Sequence, residues 1–329
     1  MEVGLTVMWR RVVGAWNWLP IAVRAILIGS IVAEIGSTGS ALFLFGNLIF
    51  HAELPWALPA VVLFLCGYYV YFSGRGWPNS TRAARNRNAR VGKTPRRVWW
   101  AAMPVIILGA LALLLMRLTA PYVMPVVAPQ IHIDLSVAPN ITVVGILIAI
   151  AFSSAIAEEL GYRGYMQQPM EERYGIVVAI LISGTMFWVA HLPEVTISHL
   201  PGHLAAAGVF GLLAYYTRSL WPAILTHAAA DLVLQPMYLY RAPAIVWDSL
   251  SARPLWEGRT TNLADGLVII ARAADPTSCL LGRCNYFSVL AWLFLICALG
   301  TVISLANLAR VSALHRPHGM QSGRARSTA

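Results

Sequence analysis

Charge is scarce in this chain: 12% of its 329 residues are Asp, Glu, Lys or Arg, about half the share usual in a soluble domain. Acids are the scarcer sign, 14 against 24 Lys plus Arg, and lysine is nearly missing, with one Lys to 23 Arg. A water-soluble globule needs a polar surface, and 58% apolar residues with a mean hydropathy of +0.65 leave too little to build one. Intrinsic disorder is excluded by the same figures, since a chain this rich in Leu, Ile, Val and aromatics cannot stay solvated. No repeat of fixed period is present. What remains is a membrane protein.

A helix needs about 20 apolar residues to cross a hydrocarbon core of about 30 Å. Runs of this kind occupy about 21–49, 55–72, 98–116, 141–157, 176–190, 199–216, 223–240 and 287–308, the fourth and fifth being short. The sequence therefore predicts an all-α, polytopic membrane helix bundle with about eight transmembrane helices. Residues 1–20 precede the membrane domain, which spans 21–309, and 310–329 form a Ser/Arg-rich tail.

The net charge of +10 invites a nucleic-acid reading, but that requires the cations to share one folded face. Here they follow topology. Arg75, Arg82, Arg85, Arg87, Arg90, Lys93, Arg96 and Arg97 lie between the second and third runs with no acid among them, and the positive-inside rule places this loop in the cytoplasm. Both termini are then cytoplasmic, with 18 of the 24 cations on that side, in a multi-pass protein of the plasma membrane. Arg10 and Arg11 precede a first run too long for a signal h-region and followed by no small-residue cleavage site, which predicts an uncleaved anchor. The expected partners are the lipid bilayer and a membrane-associated protein or peptide substrate, with no nucleic acid.

Four cysteines divide by location. Cys66 and Cys297 fall inside spans, where a thiol is small apolar packing. Cys279 and Cys284 belong to the outer loop at about 241–286, on the oxidising side, where a short-range disulfide is one of two open outcomes. That loop carries Pro254, Gly258 and Pro276 and one short helical pattern near 263–274, as an insertion would.

Ionisable groups inside a bilayer cost about 2.5 to 3.5 kcal/mol each at the centre of a helix, so each is a functional candidate. Glu158-Glu159-x-x-x-Arg163 stands at the end of the fourth run. Glu159 and Arg163 are i and i+4 and can pair, whereas Glu158 points about 100° away and keeps a free carboxylate suited to a general base. Phe187-x-x-x-His191 closes the fifth run, the aromatic one turn below the imidazole. His227-Ala-Ala-Ala-Asp231 opens the seventh, its alanines leaving an unobstructed face of the kind that lines a cavity. Three helices thus supply Glu158, His191, His227 and Asp231, the inventory of a hydrolytic site.

These motifs, in this order, resemble the CPBP family, the CAAX proteases and bacteriocin-processing enzymes, whose signature is Glu-Glu-x-x-x-Arg, Phe-x-x-x-His and His-x-x-x-Asn/Asp. The similarity covers about 141–231 and includes the lead-in Ser219-Leu-Trp-Pro-Ala-Ile-Leu-Thr226 before His227. It implies an intramembrane endopeptidase in which Glu158, helped by His191, activates the attacking water while His227 and Asp231 stabilise the oxyanion. Glu159, Arg163 and Phe187 would be the structural support. An ionised Asp231 cannot donate to an oxyanion as asparagine could, so it is protonated or else orients His227 as an acceptor.

A metal reading competes, two histidines and one glutamate with an open fourth position being the ligand set of many zinc hydrolases. Glu158, His191 and His227 would then be ligands and Glu159 the base. Since Glu159 is the acid tied to Arg163, metal-free catalysis is preferred and no cofactor is expected, with zinc as the alternative. One tension concerns depth: Glu158 and His227 sit near the cytoplasmic face, while His191 is 16 residues, about 24 Å, beyond Gly175. Convergence requires the first turns after Gly175 to lie in the cytoplasm, or a strong tilt.

Among the remaining polar groups, Glu34 in the first span reads as structural or cavity-lining, and His199 with His203 as an interfacial pair lacking a third ligand. Residues 164–174 read as an amphipathic surface helix. Two other functions fit the inventory: a non-catalytic membrane partner, in bacteriocin immunity or peptide binding, and a transporter with Glu34, Glu158 and His227 on a proton path.

Overall fold

Each of the eight apolar runs folds as a helix, the form in which a lipid-embedded backbone satisfies its own N–H and C=O groups. The computed structural model of the chain describes residues 14–50, 53–123, 139–192, 197–240 and 285–315. In chain order the elements are α1 (Ile21–Ile49), α2 (Ala57–Phe72), α3 (Arg82–Asn88), α4 (Arg96–Val123), α5 (Asn140–Glu158), a π-helix (Glu159–Met166), α6 (Gln167–Tyr174), α7 (Ile176–Ala190), α8 (Leu200–Thr217), α9 (Trp221–Tyr240) and α10 (Asn285–Leu314). No strand occurs among the described residues. Five helical stretches are long and apolar enough to cross a membrane, and α2 and α7 are apolar but shorter. The architecture is an all-α polytopic membrane bundle. The outer loop with Cys279 and Cys284, the 263–274 helix and most of the tail lie outside the described residues.

The fourth span does not stop where its hydrophobicity falls. α5, the π-helix and α6 form one unbroken rod, apolar at first and polar after Ala157, and the expected exit at Glu158 is corrected to a turn at Gly175, whose φ is +86°. The surface helix expected at 164–174 is likewise the continuation of this rod: Met166 and Met170 are fully buried against Ala25, Ala33, Ala179 and Phe187. Polar residues are tolerated this deep because their partners are protein groups rather than lipid.

Two neighbours hold the rod. α1 crosses it at Gly29, Ala33 and Gly36, where backbones touch: a Cβ on Gly161 would stand 2.6 Å from Gly29 O and from the Ala33 methyl. Small residues permit that approach, and no larger side chain fits. From the other end the basic loop folds down on it. Arg85, 5% exposed, donates to the carbonyls of Tyr71, Arg75, Gly76 and Pro78, while Arg90 makes a bidentate pair with Glu171 at 2.6 and 3.0 Å and donates to Arg163 O. At least two of the eight loop cations are therefore structural, beyond their topological role.

α4 and α10 pack together as a second layer with α8 and α9 in a core of Val98, Ala102, Val105, Phe210, Leu213 and Leu308. The outward face of α10 exposes Trp292, Leu295, Ile296, Leu299 and Ile303, as a lipid-facing helix does. Cys66 is exposed on α2, so its packing role is corrected to a surface position on the bundle, and Cys297 is half-buried. Both are free thiols.

Candidate active site

The continuous rod removes the depth tension. Glu158 stands 16 residues before Tyr174 and His191 16 residues after Gly175, so a rod and its antiparallel return bring the two to one level in mid-bundle. α7 ends there, and His191 is its cap residue, with φ −97° and ψ 2°.

Glu158 closes α5 and Glu159 opens the π-helix, both with α-helical backbone angles. Both acids reach the same imidazole, one at each ring nitrogen. Glu159 Oε1 lies 2.9 Å from His227 Nδ1 and Glu158 Oε2 lies 3.7 Å from His227 Nε2. The expected Glu159–Arg163 pair is present, Nε to Oε2 at 3.4 Å with both side chains fully buried, so Glu159 serves Arg163 and His227 at once. The Arg163 guanidinium lies over the rings of Phe187 and Phe210, at 4.7 and 5.2 Å from their centroids. Phe210 in turn stacks on His227 at 4.9 Å, its ring only 10° from parallel. The imidazole is thus fixed by a carboxylate on one nitrogen and an aromatic ring on one face.

Asp231 stands one turn beyond His227 on α9, with Oδ2 at 3.6 Å from His227 Nε2. Ser154, one turn before Glu158 on α5, places its Oγ 3.0 Å from the same oxygen. Sequence patterning had singled out nothing at Ser154; an i, i+4 match to Glu158 was its only trace.

Phe187 is the hub of the other half. Its ring contacts Tyr162 at 5.5 Å, His191 at 4.8 Å, His203 at 5.5 Å and His227 at 6.1 Å. His191 Nδ1 donates to Phe187 O at 2.7 Å, leaving Nε2 with its lone pair for the site. His203, read from the sequence as an interfacial partner of His199, donates from Nδ1 to His199 O at 2.9 Å and also packs its ring on His191 at 5.3 Å. α8 brings His203 against the end of α7, which no local pattern announces. Glu34 is exposed on α1 beside Ala33, within electrostatic reach of Tyr162, which Glu158 also influences.

Among the described residues no three His, Cys, Asp or Glu side chains form a group of the size that holds a metal ion. No chemical step below is routed through a metal. What the arrangement offers is a half-buried carboxylate and an imidazole acceptor facing a second imidazole anchored by carboxylates.

Residues 140–233 match the family model described as Rce1-like, the type II CAAX prenyl endopeptidases. The matched segment, 94 of the 329 residues, is similar to that domain. No curated protein and no solved structure matches the chain. Glu158, His191, His227 and Asp231 all lie within the matched segment, together with Ser154, Glu159, Arg163, Phe187 and His203, while α1 and the basic loop that brace it lie outside. The match supports a CAAX-type intramembrane protease in general, on a bundle consistent with membrane-associated substrates.

Proposed function

We propose that this chain is an intramembrane endopeptidase that hydrolyses peptide bonds of membrane-associated substrates with a water activated by Glu158 and His191. The observation that carries the reading is the gathering of His191 and His227 on the Phe187 ring, with Glu158 set against His227, from three separate helices. A water between the Glu158 carboxylate and His191 Nε2 meets two acceptors and keeps its own lone pair for the scissile carbonyl carbon. As the oxygen attacks, its proton passes to Glu158, which returns it to the leaving amine. His227, its Nδ1 held by Glu159, stabilises the oxyanion through Nε2–H, a contribution of a few kcal/mol when such a donor is preorganised. Asp231 orients that imidazole.

No cofactor takes part in this scheme; zinc bound to the purified protein and lost in His191→Ala would replace it with the metal version. The basic loop with Arg85 and Arg90 faces the cytoplasm, both termini with it, in the plasma membrane. Substrates are proteins or peptides anchored in or on the bilayer, a prenylated tail being the case the family description names.

The test uses the full-length chain in lipid nanodiscs with an internally quenched farnesylated peptide. Cleavage by the wild type, with a fall of at least about 100-fold in Glu158→Gln, supports the proposal. A Glu158→Gln variant that cleaves as fast as wild type overturns it.

A further inference from the structure

α5 and α9 run antiparallel and set two i, i+4 pairs face to face, Ser154 and Glu158 on one helix, Asp231 and His227 on the other. The rungs are Glu158 Oε2 to His227 Nε2 at 3.7 Å and Ser154 Oγ to Asp231 Oδ2 at 3.0 Å. Ala151, Ala155 and Ala228 are buried around them, so the helices approach closely enough for a side chain as short as serine to reach across. The geometry points to Ser154 as a positioning residue: its hydroxyl holds Asp231 in place as a hydrogen-bond acceptor and, through Asp231, sets the orientation of His227. This rests on the peptidase reading above and deepens it.

A hydroxyl has one proton, and Ser154 Oγ also lies 2.9 Å from Ile150 O and 3.3 Å from Ala151 O, the back-bonds an intrahelical serine makes. The carboxylate is the better acceptor, since hydrogen bonds to an ionised group are roughly twice as strong as neutral ones. That choice settles what Asp231 does. Its Oδ2 receives the Ser154 proton and is the same oxygen that faces His227 Nε2 at 3.6 Å, so the aspartate accepts from Ser154, stands as a charge partner beside the imidazole and donates to neither. The donor left for an oxyanion is His227 alone. The family's asparagine could serve this position with its own N–H; the aspartate found here works as a relay of orientation and needs a partner to fix it.

Two measurements on the full-length chain in nanodiscs test this. Infrared difference spectra against Asp231→Asn locate the Asp231 carboxylate band. Ser154→Ala must shift that band and Ser154→Thr, which keeps the hydroxyl, must leave it in place; an unmoved band in Ser154→Ala overturns the inference. With the farnesylated peptide, Ser154→Ala must lower kcat roughly tenfold with KM nearly unchanged, be rescued by Ser154→Thr, and have no further effect in an Asp231→Asn background. Equal losses in both backgrounds would mean a merely structural serine. Absence of cleavage by the wild type would remove the peptidase reading, and the infrared result would still decide whether Ser154 holds Asp231.

Discussion

At the residue scale the two adjacent glutamates divide the work of stability and chemistry. Glu159 is fully buried between Arg163 and His227, so Glu159→Gln strands a buried guanidinium and should cost about 3 to 5 kcal/mol, read as loss of folded protein in a thermal melt in detergent. Glu158 retains some exposure and its partner is at 3.7 Å, so Glu158→Gln should leave the melting temperature within a few degrees while abolishing turnover. If both variants melt alike, the division is wrong. The motif residues were legible in the sequence because Glu-Glu-x-x-x-Arg, Phe-x-x-x-His and His-x-x-x-Asp are local patterns at helical spacing. Ser154 and His203 were not, because what makes them site residues is contact across 77 positions with Asp231 and across a loop with His191. The sharing of His227 by both acids was hidden for another reason: Glu159 meets Nδ1 and Glu158 meets Nε2, a convergence set by where the distant α9 packs and not by spacing along α5.

At the scale of elements, the rod made by α5, the π-helix and α6 is the part that hydrophobicity misplaced. Apolar runs fixed the bounds of α1 at 21–49 and α7 at 176–190 as the structure has them, because those helices meet lipid or apolar neighbours along their length. Beyond Ala157 the rod turns polar, and a hydropathy reading ends it there; α1 and the basic loop, remote in sequence, are what keep it helical. Its crossing with α1 predicts that Gly161→Ala, with a Cβ forced to 2.6 Å from Gly29 O, costs about 1 to 3 kcal/mol and slows turnover by shifting the π-helix, whereas Gly67→Ala on α2, where nothing lies within 4 Å, changes neither. Comparing melts and rates of the two variants checks this. The clamp at the other end predicts that Arg90→Ala, which leaves Glu171 buried without its partner, destabilises by about 3 to 5 kcal/mol, with little dependence on salt because both side chains are under 10% exposed. A pair worth nothing in that measurement would make the basic loop a topological signal only.

For the whole molecule, the bundle places a polar site in mid-bundle and encloses it with helices from both sides of the sequence. The class of fold was readable from composition alone, since 58% apolar residues and 12% charged ones leave no soluble solution. The level of the site was not, because it depends on the antiparallel return at Gly175 placing His191 opposite Glu158. A glutamate-activated water at that level predicts turnover unchanged after exhaustive treatment with a zinc chelator, and activity restored only by added zinc would contradict it. The most direct test of the central claim is quantitative profiling of new protein N-termini in membranes of cells expressing the wild type or Glu158→Gln at matched levels. The account predicts a set of membrane-protein termini present with the wild type and missing with the variant. Identical profiles, in cells that contain the native partners, would contradict it and leave the four gathered side chains as a binding site without hydrolysis.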